Sequence, residues 1–194
     1  MKTNIALFAS GNGSNAQKIM AYFKDSNLVH VALLVGNKKE MGAYEKAEEM
    51  GVPHLCVNKA DFYESNQIVA LLRSKEVDFI VLAGFLWLIP AALIQAFPNR
   101  IVNIHPALLP NYGGKGMYGH FVHEAVFQAH EKKSGMTIHY VNEKFDEGEI
   151  IFQAECELDE NDTPATIATK VLSLEHQHYA PVVEKLIKNL QKQS

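Results

Sequence analysis

The chain has 194 residues, of which 47% are hydrophobic, 21% charged and 9% aromatic, the proportions of an ordinary globular domain. Eighteen Lys and Arg against 22 Asp and Glu give a formal charge of -4, which argues against a partner held through a phosphate backbone and predicts no nucleic-acid binding. Nowhere do about 18 apolar residues run together. The start, Met1-Lys2-Thr3-Asn4, has no long apolar region before a small-residue cleavage site, so the expectation is a cytoplasmic chain with no membrane partner. Cys56 and Cys156 have no partner at metal-ligand or redox spacing and read as two small buried hydrophobes.

Asn4 to Ala9 is a short apolar run broken by Ser10-Gly11-Asn12-Gly13-Ser14-Asn15, after which Ala16, Ile19, Met20 and Phe23 fall at helical spacing. Leu28 to Val35 is the next apolar run, stopped by Gly36-Asn37, with a charged helical stretch from Ala43 to Met50 behind it. The alternation continues: strand at His54 to Val57, helix at Ile68 to Arg73, strand at Phe79 to Ala83, helix at Ala91 to Phe97, strand at Ile101 to Ile104. Apolar runs alternating with helices predict one α/β domain over residues 1–194. Its sheet should be mostly parallel and twisted, with helices on both faces.

Past His105 the pattern is less regular. Asn111-Tyr112-Gly113-Gly114-Lys115-Gly116 reads as a mobile loop of the kind that carries function. A helix follows at Phe121 to His130, then strands at Thr137 to Val141 and Ile150 to Leu158. A long final helix is capped by Thr163 with Pro164 at its first position and is expected to kink or divide at Pro181. His120 and His123 read as surface residues, and Asp159-Glu160-Asn161-Asp162 as a solvated turn.

Gly11-Asn12-Gly13-Ser14-Asn15-Ala16 matches the dinucleotide-binding glycine pattern between a strand and a helix. That site also needs an acid at the end of the second strand, and none occurs between Asp25 and Glu40. What remains is a helix N-terminus with free amides, suited to one phosphate, or a turn that only needs glycine.

In Ile101-Val102-Asn103-Ile104-His105, alternation puts Asn103 and His105 on one face at the carboxyl end of a strand, where open α/β sheets bind ligands. An amide and an imidazole there can stabilise an oxyanion and move a proton, although an Asn-x-His pair also fits a satisfied polar strand end. Asp146, in Phe145-Asp146-Glu147-Gly148, is a candidate carboxylate for the imidazole; taken alone, Asp-x-Gly is most often just a turn.

Taken with Leu82-Ala83-Gly84-Phe85, Asn103 to Pro110 and Ile138-His139-Tyr140-Val141, these motifs make the chain resemble the folate-dependent formyltransferases along essentially its whole length. The resemblance implies a Rossmann-like formyltransferase fold with a less regular C-terminal third ending in a long helix. It also implies formyl transfer from 10-formyltetrahydrofolate to the amine of 5-phosphoribosylglycinamide, with no metal. Asn103, His105 and Asp146 would be the catalytic set, and Gly13, Ser14, Asn15 and Glu175 would hold the acceptor's phosphate and ribose. Phe85, Leu86, Trp87, Leu88, Ile89, Val141 and Asn142 would meet the folate. The same trio would serve a deformylase or a sugar-nucleotide formyltransferase, and the glycine turn alone would serve a binding protein for a phosphorylated metabolite. Trp87 stands where an arginine is frequent in the family, Glu149 replaces a proline, and an arginine found near Ser65 in some members has no counterpart. A monomer or a homodimer is expected.

Overall fold

Apolar segments that must be covered on both sides become the inner strands of a sheet. In the computed structural model, which describes residues 2–64 and 67–193, these are β1 (Thr3–Ala9), β2 (Val29–Gly36), β3 (His54–Cys56), β4 (Phe79–Leu82) and β5 (Ile101–His105). With β6 (Lys133–Tyr140) and β7 (Ile150–Glu157) they form one seven-stranded sheet in the order β3-β2-β1-β4-β5-β6-β7. The first five strands are parallel, whereas β6 runs antiparallel to β5 and β7 antiparallel to β6. The position near Ser65 lies outside the described residues.

Side chains alternate across the sheet, so each strand feeds two cores. Ile5, Leu7, Val81 and Val102 pack toward α1 (Ser14–Phe23) and the C-terminal helix α7 (Pro164–Gln193). Ala6, Phe8, Ile80 and Leu82 face Phe62 of α3 (Lys59–Tyr63), Leu72 of α4 (Gln67–Ser74) and Leu93 of α5 (Ala91–Ala96). Two further helices, α2 (Gly42–Glu49) and α6 (His120–Gln128), follow β2 and the glycine-rich loop. The chain winds one way from β1 to β3 and returns to β4 beside β1. The crevice at the carboxyl ends of β1 and β4 is therefore the topological switch point, where such sheets bind ligands.

The structure corrects several expectations. α7 runs through Pro181 instead of dividing there. Pro181 and Gln177, whose carbonyl loses its partner, both lie on the exposed face, while Tyr179, Val183 and Ile187 are buried on the other. Burial on both sides of the proline outweighs a cost of about 3 kcal/mol. Strand β6 starts at Lys133, earlier than its apolar run, because backbone pairing with β7 carries Ser134 and Gly135 into the ladder. Helix α3 escapes a periodicity search because it is one short turn, capped by the Asn58 side chain accepting from the Asp61 amide. Cys56 is exposed on the edge strand and Cys156 half-buried, so neither is a core residue. Asp162 is buried, not solvated: its carboxylate accepts from Lys170 Nζ at 2.5 Å and from the Thr166 hydroxyl at 2.8 Å. Among the described residues no helix is long and apolar enough to cross a membrane.

Candidate active site

The register between β5 and β6 sets Asn103 opposite His139 and His105 opposite Thr137, so four polar side chains share one face at the end of β5. Asp146 reaches them from the turn joining β6 to β7, with its own backbone in the left-handed region at φ 57°, a conformation Asp tolerates better than most residues. Gly148 makes that approach possible. A Cβ there would collide with the Tyr140 carbonyl oxygen, so any other residue would push the turn, and Asp146 with it, off β6.

Asp146 is the hub. Its Oδ2 accepts from the Gly114 amide at 2.9 Å and lies 3.4 Å from His105 Nδ1; its Oδ1 lies 3.5 Å from Asn103 Nδ2 and 3.7 Å from His139 Nε2. The surrounding carbonyls assign the ring protons. Tyr112 O, 2.7 Å from His105 Nε2, can only accept, so that nitrogen carries hydrogen. Tyr140 O does the same for His139 Nδ1 at 2.8 Å, leaving Nε2 of a neutral His139 to accept from Asn103 Nδ2 at 3.1 Å.

Burial pushes the His105 imidazole below its ordinary pKa, and the Asp146 carboxylate and Tyr112 carbonyl offset this only in part. Burial alone would raise Asp146. The neighbouring His139 ring, the His105 ring and the Gly114 amide together outweigh it and hold the carboxyl below its ordinary range. The cluster is thus built to keep a carboxylate ionised beside an imidazole that sits on the neutral side of its balance.

These groups open on a cavity of about 670 Å³ whose lining also includes Asn15 and Glu175. Asn15 Nδ2 donates to Glu175 Oε2 at 2.6 Å, and burial pushes the Glu175 carboxyl up against that bond. Gly13 and Ser14 do not line the cavity. Gly13 stands behind it at φ 73° as the N-cap of α1, where a Cβ would strike Ala43. Helix α2 braces this turn: the Ala43 amide donates to Gly11 O at 3.3 Å, and Lys46 Nζ reaches Asn12 O and Oδ1 at 2.5 and 2.7 Å.

The segment assigned to a folate divides. Phe85 and Leu86 line the cavity, and the Leu86 amide is fixed by Ser10 Oγ at 2.9 Å. Ile89 is core, Trp87 and Val141 pack against that core, and Trp87 belongs to an aromatic cluster with Phe62 and Tyr63. The Leu88 carbonyl accepts from the Tyr63 hydroxyl, and Asn142 Nδ2 donates to Glu147 O.

Sequence reasoning missed His139, whose signal lay in the β5–β6 register, and His123. The latter is 6% exposed and lines the cavity, because α6 turns that face inward. Its Nδ1 has no hydrogen-bond partner among the described residues, and burial together with His105 holds its pKa down. Among the described residues no group of three His, Cys, Asp or Glu is arranged to hold a metal ion.

The family model described as formyl transferase matches residues 3–183. The chain is 47% identical to a chloroplastic phosphoribosylglycinamide formyltransferase of Arabidopsis thaliana over 94% of its own length, and spans 64% of that relative. It is 40% identical to the phosphoribosylglycinamide formyltransferase of Bacillus subtilis, covering 94% of this chain and 93% of that one. The crystal structure of the enzyme of the same name from Bacillus halodurans superposes with a TM-score of 0.85 at 36% identity, covering 95% of each chain. A match across nearly the whole sheet, including the residues that line the cavity, means that the chain belongs to the formyl transferase family.

Proposed function

We propose that the chain transfers a formyl group from 10-formyltetrahydrofolate to the amine of 5-phosphoribosylglycinamide; its relatives are named phosphoribosylglycinamide formyltransferase. The observation that carries this reading is the convergence of Asn103, His105 and Asp146 on a single cavity that Asn15 and Glu175 also line.

Amine attack on the formyl carbon forms the new C–N bond and places negative charge on the formyl oxygen. Of the two Asn103 Nδ2 hydrogens, one is committed to His139; the other, spanning 3.5 Å to Asp146, is available to that oxyanion. Negative charge developing beside His105 raises its proton affinity, reversing the effect of burial, and Asp146 stabilises the imidazolium so formed. Collapse breaks the bond from the formyl carbon to the folate nitrogen, which takes a proton as the amine gives one up. With Nε2 held by the Tyr112 carbonyl, His105 Nδ1 beside Asp146 is the ring nitrogen left to take up and pass that proton. In the same cavity, Asn15 and Glu175 offer hydrogen-bonding groups to the acceptor's phosphate and ribose.

Folate absorbance followed with and without glycinamide ribonucleotide tests the reading. A change that requires the amine supports it. Formate release without the amine would make the chain a hydrolase instead, and binding of both compounds without turnover would make it a binding protein.

A further inference from the structure

Two acids, Asp146 and Glu175, and three histidines, His105, His120 and His123, line the cavity, and the single Lys or Arg among its described lining residues is Lys115. Lys46, at the back of the glycine turn, is committed to Asn12, and the first turn of α1 offers amides but no cationic side chain. Lys115 Nζ has no ion pair and no hydrogen bond among the described residues.

Its position is fixed by backbone. Gly114 and Gly116 flank it at φ 93° and 91°, values that L side chains rarely adopt, and the Met117 amide closes the turn on Gly114 O at 3.1 Å. The Gly114 amide is also the donor to Asp146 Oδ2. The carboxylate that orients His105 therefore also holds the loop that carries the lysine.

Resting on the formyl-transfer reading for the identity of the ligand, we propose that Lys115 is a binding residue for the acceptor's phosphate in this cavity. A phosphate entering a space that holds two carboxylates needs a mobile cation, and amides at a helix end supply only partial charge. Donor and acceptor both bring anionic groups, so the test separates a phosphate from the folate's carboxylates.

Full-length wild type, Lys115→Met and Lys115→Arg are titrated with ribose 5-phosphate and with ribose, and steady-state constants are measured for both substrates. The expected result is ribose 5-phosphate affinity and acceptor KM weakened about tenfold in Lys115→Met. Lys115→Arg should stay near wild type, with kcat and donor KM unchanged. Equal ribose 5-phosphate affinity in all three proteins overturns the proposal, as does a rise confined to donor KM. The two readings fail separately: Lys115-dependent binding of ribose 5-phosphate by a wild type that transfers no formyl group would keep the anion site and discard the reaction.

Discussion

The turn after β1 and the cluster at the end of β5 stand on the same edge of the sheet, yet they are built over different ranges of chain. The turn is local: Gly13, Ser14 and Asn15 are consecutive, and a strand stopping where a helix starts is enough to define it. The cluster draws Asn103 and His105 from one strand, His139 from its antiparallel neighbour and Asp146 from the turn beyond. A local site fails by losing its shape, and a distributed one by losing a partner. Substitutions in the two places should therefore separate binding from turnover.

The largest separation is expected at the cluster. Asn103→Ala and His105→Ala each remove a donor or proton carrier that the proposed mechanism sets at the reacting atoms, and loss of one such group should lower turnover by about 100-fold to 1,000-fold. The half-buried Asn103 donates only within the cluster, so thermal unfolding of Asn103→Ala should stay close to wild type. Steady-state kinetics showing near-normal kcat in either variant would remove the assignment.

Asp146→Asn should cost less at low pH than at high. The substitution keeps an oxygen for the Gly114 amide but removes the charge that partly supports the His105 imidazolium, so a pKa already below its ordinary value falls further. If reaction requires the charged ring, the deficit relative to wild type is small where both rings are protonated and grows as pH rises through the two pKa values. Each unit of further depression then corresponds to about tenfold in activity. A pH-rate profile lowered by the same factor throughout would assign Asp146 to geometry instead.

The same contrast decides what could be read from sequence. Strands β1, β2 and β4 and the glycine turn were legible because continuous apolar runs and a glycine pair are properties of neighbouring residues. Asn103 and His105 were legible as a pair through the period of two. His139 was not, because its role depends on the pairing of β6 with β5, and register is set by the whole hydrophobic pattern and the connecting turns. His123 reads as surface because the sequence shows a helix face but not what that face meets. The run through Pro181 was hidden for the same reason: buried contacts from both halves of α7 decide it, and none of them is adjacent in sequence.

The smallest effect belongs to the turn, and it should appear in binding and stability but not in kcat. Gly13→Ala puts a Cβ on a residue at φ 73° and drives it into Ala43 of α2, the helix that braces the turn. The left-handed backbone alone costs a non-glycine residue about 1 to 2 kcal/mol, and the collision adds to that. At roughly 2 to 4 °C per kcal/mol for a chain of this size, Tm should fall by several degrees. Acceptor KM should rise while kcat holds, since the catalytic cluster is anchored to β5 and β6. Adding Ala43→Gly removes the contact with the Ala43 Cβ but leaves the contact with its Cα and the backbone cost, so the double variant should recover only part of the lost Tm. Full recovery would mean that φ strain is unimportant at this position. No recovery would mean that the remaining contact with the Ala43 Cα and the left-handed backbone carry the whole cost.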